Sequence, residues 1–206
     1  MMESTLTIRR AGATDIDAVA TAFAAGSADE VVSAWVMAED PELAEAFRIQ
    51  HAPRLIERSV QDDEVWIAEA DGRIRAVSIW QHVHSARRFE IEAEEACGMS
   101  EAVPGRRSLA RLATVTALLA ATHPREFPHR YLQLIVTVPE FRGMGAGGAI
   151  LADRLKAASQ ASVPVYLEAS TDRSSRLYAR NGFAREGVTH TLPEDGPTLI
   201  PMWFRG

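Results

Sequence analysis

The chain reads as a mixed α/β (α+β) domain in which helices cover a central sheet. Three features predict this. Asp71-Gly72 joins two alternating apolar runs, the strongest short hairpin signal in the sequence. A strand-like run over residues 130–138 enters a glycine-rich turn and then a helical pattern that lasts to about Ser159. A strand–helix–strand–strand succession closes the chain.

Each element has its own signal. Residues 5–10 alternate Leu6 and Ile8 with Thr5, Thr7 and Arg9, as a short strand does. Thr14 opens a helix with Asp15 and Asp17 in its first turn and Ile16, Val19, Ala20 and Phe23 on one face. Residues 28–61 are helical in pattern, broken at Pro41 and Pro53. Strands over 65–70 and 74–82 flank the Asp71-Gly72 turn. A long helical middle over 85–122 is interrupted near Pro104-Gly105, and Pro124 and Pro128 bracket a loop. The helix after the glycine turn carries Leu151, Leu155 and Ala158 as its apolar stripe. A strand over 163–170 puts Val163, Val165, Leu167 and Ala169 on one face and Tyr166, Glu168 and Ser170 on the other. A helix over 172–180 ends at Asn181-Gly182, where glycine can take the left-handed position. Strands over 183–191 and 198–204 are joined by a turn from Leu192 to Pro197.

Composition bounds the function. With 206 residues, a net charge of −6 and 47% hydrophobic residues, the chain is expected to form one domain with a self-sufficient core. Its acidic balance argues against nucleic acid as a partner. Cys97 is the single cysteine, which excludes a disulfide framework or a cysteine-based metal cluster. The most apolar run, 109–122, is too short for a membrane span and contains Arg111. Residues 1–10 have neither the apolar core nor the cleavage site of a signal peptide, so a cytoplasmic protein is expected. Lys156 is the single lysine among 22 basic residues, a bias that suggests a GC-rich bacterial genome.

The glycine turn carries the chemistry. In Val138-Pro139-Glu140-Phe141-Arg142-Gly143-Met144-Gly145-Ala146-Gly147-Gly148, glycines remove side chains from the backbone where a helix begins. Its unpartnered N–H groups can then converge on a phosphate. Arg142 adds a positive charge. A Walker A loop would need Gly-Lys-Ser/Thr, which is absent, and the dinucleotide fingerprint would need glycine at Ile150. Without a ligand, the same segment is simply a tight strand-to-helix connection.

Arg142-x-x-Gly145-x-Gly147 after Val138-Pro139 resembles motif A of the GNAT N-acetyltransferases. The resemblance continues through Leu167-Glu168-Ala169-Ser170 and Leu177-Tyr178-Ala179-Arg180-Asn181-Gly182-Phe183. His123-Pro124 and His129-Arg130-Tyr131-Leu132, with Ile79-Trp80 upstream, are similar to the puromycin N-acetyltransferase branch. It implies one GNAT-like domain with a mostly antiparallel sheet of about seven strands. Residues 123–206 would bind acetyl-coenzyme A as co-substrate, and 5–122 would carry acceptor-site elements. The backbone of Ile135, Val136, Thr137 and Val138 would hold the pantetheine arm. Arg142, Gly143, Met144, Gly145, Ala146, Gly147 and Gly148 would hold the pyrophosphate, and Tyr178 would protonate the leaving thiolate. Val138 stands where relatives often carry Asp or His. Thr171 replaces a common Asn that contacts pantetheine, and offers a hydroxyl instead.

The residues themselves are compatible with that chemistry. A tyrosine hydroxyl keeps its proton at neutral pH and can donate it. Glu168, if partly buried, would titrate high enough to act as a base toward an amine; a structural carboxylate is the plainer alternative. A backbone N–H near Val138 can meet the acetyl oxygen. His82 and His84 lack a third ligand, so no metal is expected. The run Glu90, Glu92, Glu94, Glu95 reads as a solvated face able to attract a cationic amine. Trp35 and Trp80 are candidate walls for an acceptor pocket. Cys97 is expected to be buried and dispensable, with Cys97→Ala retaining full activity in a thiol-release assay. The expected reaction is acetyl transfer to a small-molecule amine by direct attack in a ternary complex, with monomer or homodimer both open. Acetylation of a protein N-terminus or lysine, and a non-catalytic acyl-coenzyme A sensor, are the rival readings.

Overall fold

A computed structural model describes residues 5–206; of the segment weighed as a signal peptide, residues 1–4 lie outside the described part. The order is β1 (Thr7–Arg10), α1 (Ile16–Ser27), α2 (Val31–Met37), α3 (Pro41–Ala46), α4 (Ala52–Asp62), β2 (Glu64–Ala70), β3 (Arg73–Val83), α5 (Arg87–Ala102), α6 (Arg107–Thr122), β4 (His129–Thr137), α7 (Ala146–Gln160), β5 (Val165–Ala169), α8 (Asp172–Arg180), β6 (Ala184–Arg185), β7 (His190–Thr191) and β8 (Thr198–Phe204). The strands form an eight-stranded sheet ordered β1-β2-β3-β4-β5-β8-β6, with β7 also on β8. Every pairing is antiparallel except β4 with β5. No described helix is long and apolar enough to cross a membrane.

The β2–β3 turn has Asp71 and Gly72 at φ 53° and 69°, the left-handed pair that a tight hairpin requires. Gly182 ends α8 at φ 90°, as its place after Asn181 predicts. Two expectations need correction. Pro53 does not break the chain: residues Phe47–His51 form a π-helical turn leading straight into α4, with the proline in its first turn. There its missing N–H costs nothing. The expected strand over 183–191 is two short pieces, because Gly187 adopts φ 114° between them. That gives eight strands rather than seven.

Helices α1 and α4 pack Val19, Phe23 and Ile56 against Val65, Ile67, Val77, Ile79 and Val136 on one face of the sheet. Helix α7 covers the other face, with Leu151 and Leu155 against Trp80, Leu132, Val165 and Leu167. The α1 contact is tight at Gly26, where an added Cβ would lie 2.9 Å from Val136 Cγ2 and 3.0 Å from its Cβ. Gly26→Ala is therefore expected to cost about 1–3 kcal/mol by overpacking, read as a lower midpoint in urea with an unchanged slope.

Strands β4 and β5 pair only at Arg130 with Val165 and Tyr131 with Tyr166. Beyond that point they diverge. The cause lies on the other edge of β4: Ile79 pairs with Leu134 and Trp80 with Leu132, leaving Gln133 as the extra residue of a bulge. A bulge bends its strand, here just past the last residue held by β5.

Candidate active site

The gap between β4 and β5 opens toward the glycine turn. Val138 N–H donates to Arg75 O at 2.9 Å, so this residue's donor faces β3. Antiparallel alternation then turns the main-chain groups of Val136 the same way and those of Ile135 and Thr137 into the gap. The expectation that a donor near Val138 serves the site thus moves to its neighbours.

Gly143 and Gly145 have φ 78° and 85°, conformations open to glycine without strain. Gly145 caps α7, and the first intrahelical donor there is Ala149 N–H, at 2.9 Å from Gly145 O. The N–H groups of Ala146, Gly147 and Gly148 precede it and are left for an anion. A Cβ at Gly147 would lie 3.1 Å from Thr137 Oγ1, so the absence of a side chain lets the helix start approach the open strand. Met144 is exposed. Arg142 is not a free cation: both terminal nitrogens bond the Asp29 carboxylate at 2.6 Å. That pairing raises the guanidinium's affinity for its proton and holds Asp29 below the usual carboxylate range. Thr171 spends its hydroxyl as the cap of α8, accepting from Ser174 N–H at 3.0 Å.

A cavity of 260 Å³ adjoins the gap and is lined by Leu132, Gln133, Leu134 and Ile135 of β4, Glu168 and Ser170 of β5 and its end, and Tyr178 of α8. Its other walls are Glu30, Val32 and Ser33 near α2, Phe89 and Glu92 of α5, Val115, Thr116 and Leu119 of α6, Tyr131 and Leu199. Tyr178 and Glu168, picked from sequence, thus meet at one cavity. Burial, with the nearby Glu30 charge second, pushes the Tyr178 hydroxyl up to about 12. Burial also pushes the Glu168 carboxyl up to about 7, the hydroxyls of Tyr166 and Tyr131 restraining the rise. Tyr131 donates to Glu168 Oε2 at 2.8 Å, while Oε1 is buried with no hydrogen-bond partner among the described residues. Glu30 is fixed by the N–H groups of Val32 and Ser33 at 3.1 and 2.9 Å and by the Ser170 hydroxyl at 3.0 Å.

Glu30, Tyr131 and Ser170 were not singled out as site residues from sequence; they come from segments far apart, and only the fold joins them. Other expectations divide. Glu92 faces the cavity, whereas Glu94 and Glu95 are exposed. Trp80 is buried under α7 with its indole N–H on Ser78 Oγ at 2.9 Å. Trp35 packs with Val36, Val115, Leu192 and Leu199, and Phe89 and Tyr131 supply the aromatic wall instead. His82 bonds Glu64 at 2.9 Å, and His84 is exposed. Cys97 is exposed rather than buried, on the solvent side of α5, and the nearby Glu101 raises its thiol, which disfavours the thiolate.

Removing the Tyr131 hydroxyl takes a donor from the Glu168 carboxylate. Tyr131→Phe is expected to move the acid limb of the kcat/KM–pH profile upward by about 1 unit, with the plateau at high pH little changed.

The sequence model of the Acetyltransferase (GNAT) family matches residues 29–183. Among solved structures, a Corynebacterium glutamicum protein described as histone acetyltransferase HPA2 and related acetyltransferase superposes with a TM-score of 0.70 at 20% identity, covering 97% of this chain and 95% of that one. The Drosophila melanogaster polyamine N-acetyltransferase, which forms N-acetylagmatine, gives 0.72 at 16% identity over 98% and 100%. A mosquito arylalkylamine N-acetyltransferase-like protein gives 0.71 at 13% over 97% and 99%. These likenesses establish a shared fold.

Proposed function

The chain belongs to the Acetyltransferase (GNAT) family, and from that premise we propose that it moves the acetyl group of acetyl-coenzyme A to the primary amine of a small molecule held in the same complex. Bound acetyl-coenzyme A supplies an activated acetyl thioester. The main-chain groups of Ile135 and the Thr137 N–H suit its extended arm, the Thr137 carbonyl being taken by Arg142 Nε at 3.3 Å, and the N–H groups of Ala146, Gly147 and Gly148 suit its diphosphate, that of Met144 being taken by Phe141 O at 3.3 Å. Glu168 takes a proton from the incoming ammonium, and Tyr178 gives one to the departing thiolate. The observation that carries this reading is the single cavity that joins Tyr178 and Glu168 beside the divergence of β4 from β5.

A cavity of 260 Å³ suits a small acceptor. Relatives of the same fold are named for polyamines and arylalkylamines, and the segment 123–132 resembles the puromycin branch. These set the amine panel: puromycin, an arylalkylamine and an aliphatic diamine, each with acetyl-coenzyme A in a thiol-release assay. Turnover with at least one is expected. No thiol release, together with no acetyl-coenzyme A binding at millimolar concentration by calorimetry, would overturn the proposal. Binding without turnover on amines or peptides would favour the sensor reading.

A further inference from the structure

The lining of the acceptor cavity carries three carboxylates, Glu30, Glu92 and Glu168, and no cationic side chain among the described residues. The nearest arginine leaves this balance negative. Arg88 donates Nε to Glu92 Oε1 at 2.9 Å, but its two terminal nitrogens are clamped on the buried carboxylate of Asp63 at 2.7 and 2.9 Å. The Asp63–Arg88–Glu92 triad therefore holds Glu92 at the cavity and keeps a net charge of −1. Glu30 is immobilised by its N–H and hydroxyl donors, and one buried Glu168 oxygen has no partner. The lining also carries apolar side chains, Phe89, Val115, Leu119 and Leu199.

From this arrangement we infer that the acceptor is an amine without a carboxylate, with an apolar body, and that Glu92 is a specificity-determining residue that rejects amino acids. The inference rests on the acetyltransferase reading above. An ammonium entering the cavity meets carboxylates with no cationic side chain in the lining, and gives up a proton to Glu168. An α-carboxylate carried in with it meets the same charges with no arginine or lysine to receive it. Like charges brought together in one partly enclosed cavity repel, and specificity is set by that repulsion. The apolar walls accept the body of the molecule, aromatic or aliphatic, with no directional demand.

The test uses matched acceptors in the thiol-release assay: 2-phenylethylamine, phenylalanine and phenylalanine amide, and the aliphatic set butylamine, norvaline and norvaline amide. The amine is expected to exceed its amino acid by about 100-fold or more in kcat/KM. The amide, with the same branching but no charge, is expected to recover most of that loss. Glu92→Gln is expected to raise kcat/KM for the amino acids about tenfold through KM and so to narrow the ratio of amine to amino acid by at least that factor. Amino acids within tenfold of the amines would overturn the inference while leaving the acetyltransferase reading intact. So would amides as poor as the acids, which would assign the rejection to shape. Thiol release with none of the six acceptors would count against both, and acetyl-coenzyme A binding measured on the same sample would separate a lost cofactor site from a wrong acceptor class.

Discussion

Glu168→Gln is expected to reduce turnover by about 10²–10⁴-fold and, unusually for loss of an active-site charge, to stabilise the protein above neutral pH. Both effects have one origin. Burial lifts the Glu168 carboxyl from 4.5 to about 7. Between those values the folded protein holds a proton that the unfolded chain has released, so wild-type stability falls as pH rises from about 4.5 through about 7 and then levels off. The cost of ionising the buried group is on the order of 3 kcal/mol at its limit. Glutamine cannot ionise, and its amide oxygen can still accept from Tyr131. The variant is thus expected to match or fall slightly below wild type in urea midpoint at pH 5 and to exceed it at pH 8. A midpoint difference that does not change with pH would mean that Glu168 titrates normally and is not the base.

Tyr178→Phe is expected to remove about 10²–10⁴-fold from kcat with acetyl-coenzyme A affinity unchanged. The ring keeps its place against Phe183, at 5.7 Å between centroids, so only the hydroxyl is lost. With that hydroxyl held near 12 by burial and by Glu30, the group stays protonated across the working range, ready to donate to a thiolate. The wild-type profile should therefore show its acid limb near pH 7, from Glu168, and no limb from Tyr178 below pH 10 or so. Equal kcat in the two proteins, by thiol release at saturating acceptor, would assign the donor elsewhere.

What was legible in the sequence is what local chemistry dictates. Asp71-Gly72 and Gly182 mark positive φ, and the glycines at 143 and 145 mark a turn that other residues enter only with strain. Tyr178 was legible from the resemblance of its Leu-Tyr-x-x-x-Gly-Phe segment, and Glu168 from the strand face it shares with Tyr166. The bulge at Gln133 has no such signature: nothing in Leu132-Gln133-Leu134 tells an extra residue from a paired one, since the offset is set by β3. The break at Gly187 was lost inside an alternating run. The remaining cavity walls were illegible for a different reason. Glu30 and Ser170 lie 140 residues apart, and Glu92 differs from Glu94 and Glu95 only by the side of α5 on which it falls. Trp80 misled because an aromatic residue at a strand end suits a core as well as a pocket.

The two pairs of residues that join β4 to β5 have a mechanical consequence. They are a seam between two half-sheets, and beyond them the border is crossed by side chains such as Tyr131 on Glu168 and by the covering helices, with no further strand pairing. A ligand whose amide groups occupy that border laces the halves together along their length. Saturation at about 100 times Kd would add about 2.7 kcal/mol to stability, and hydrogen exchange at Ile135 and Thr137 would slow with it.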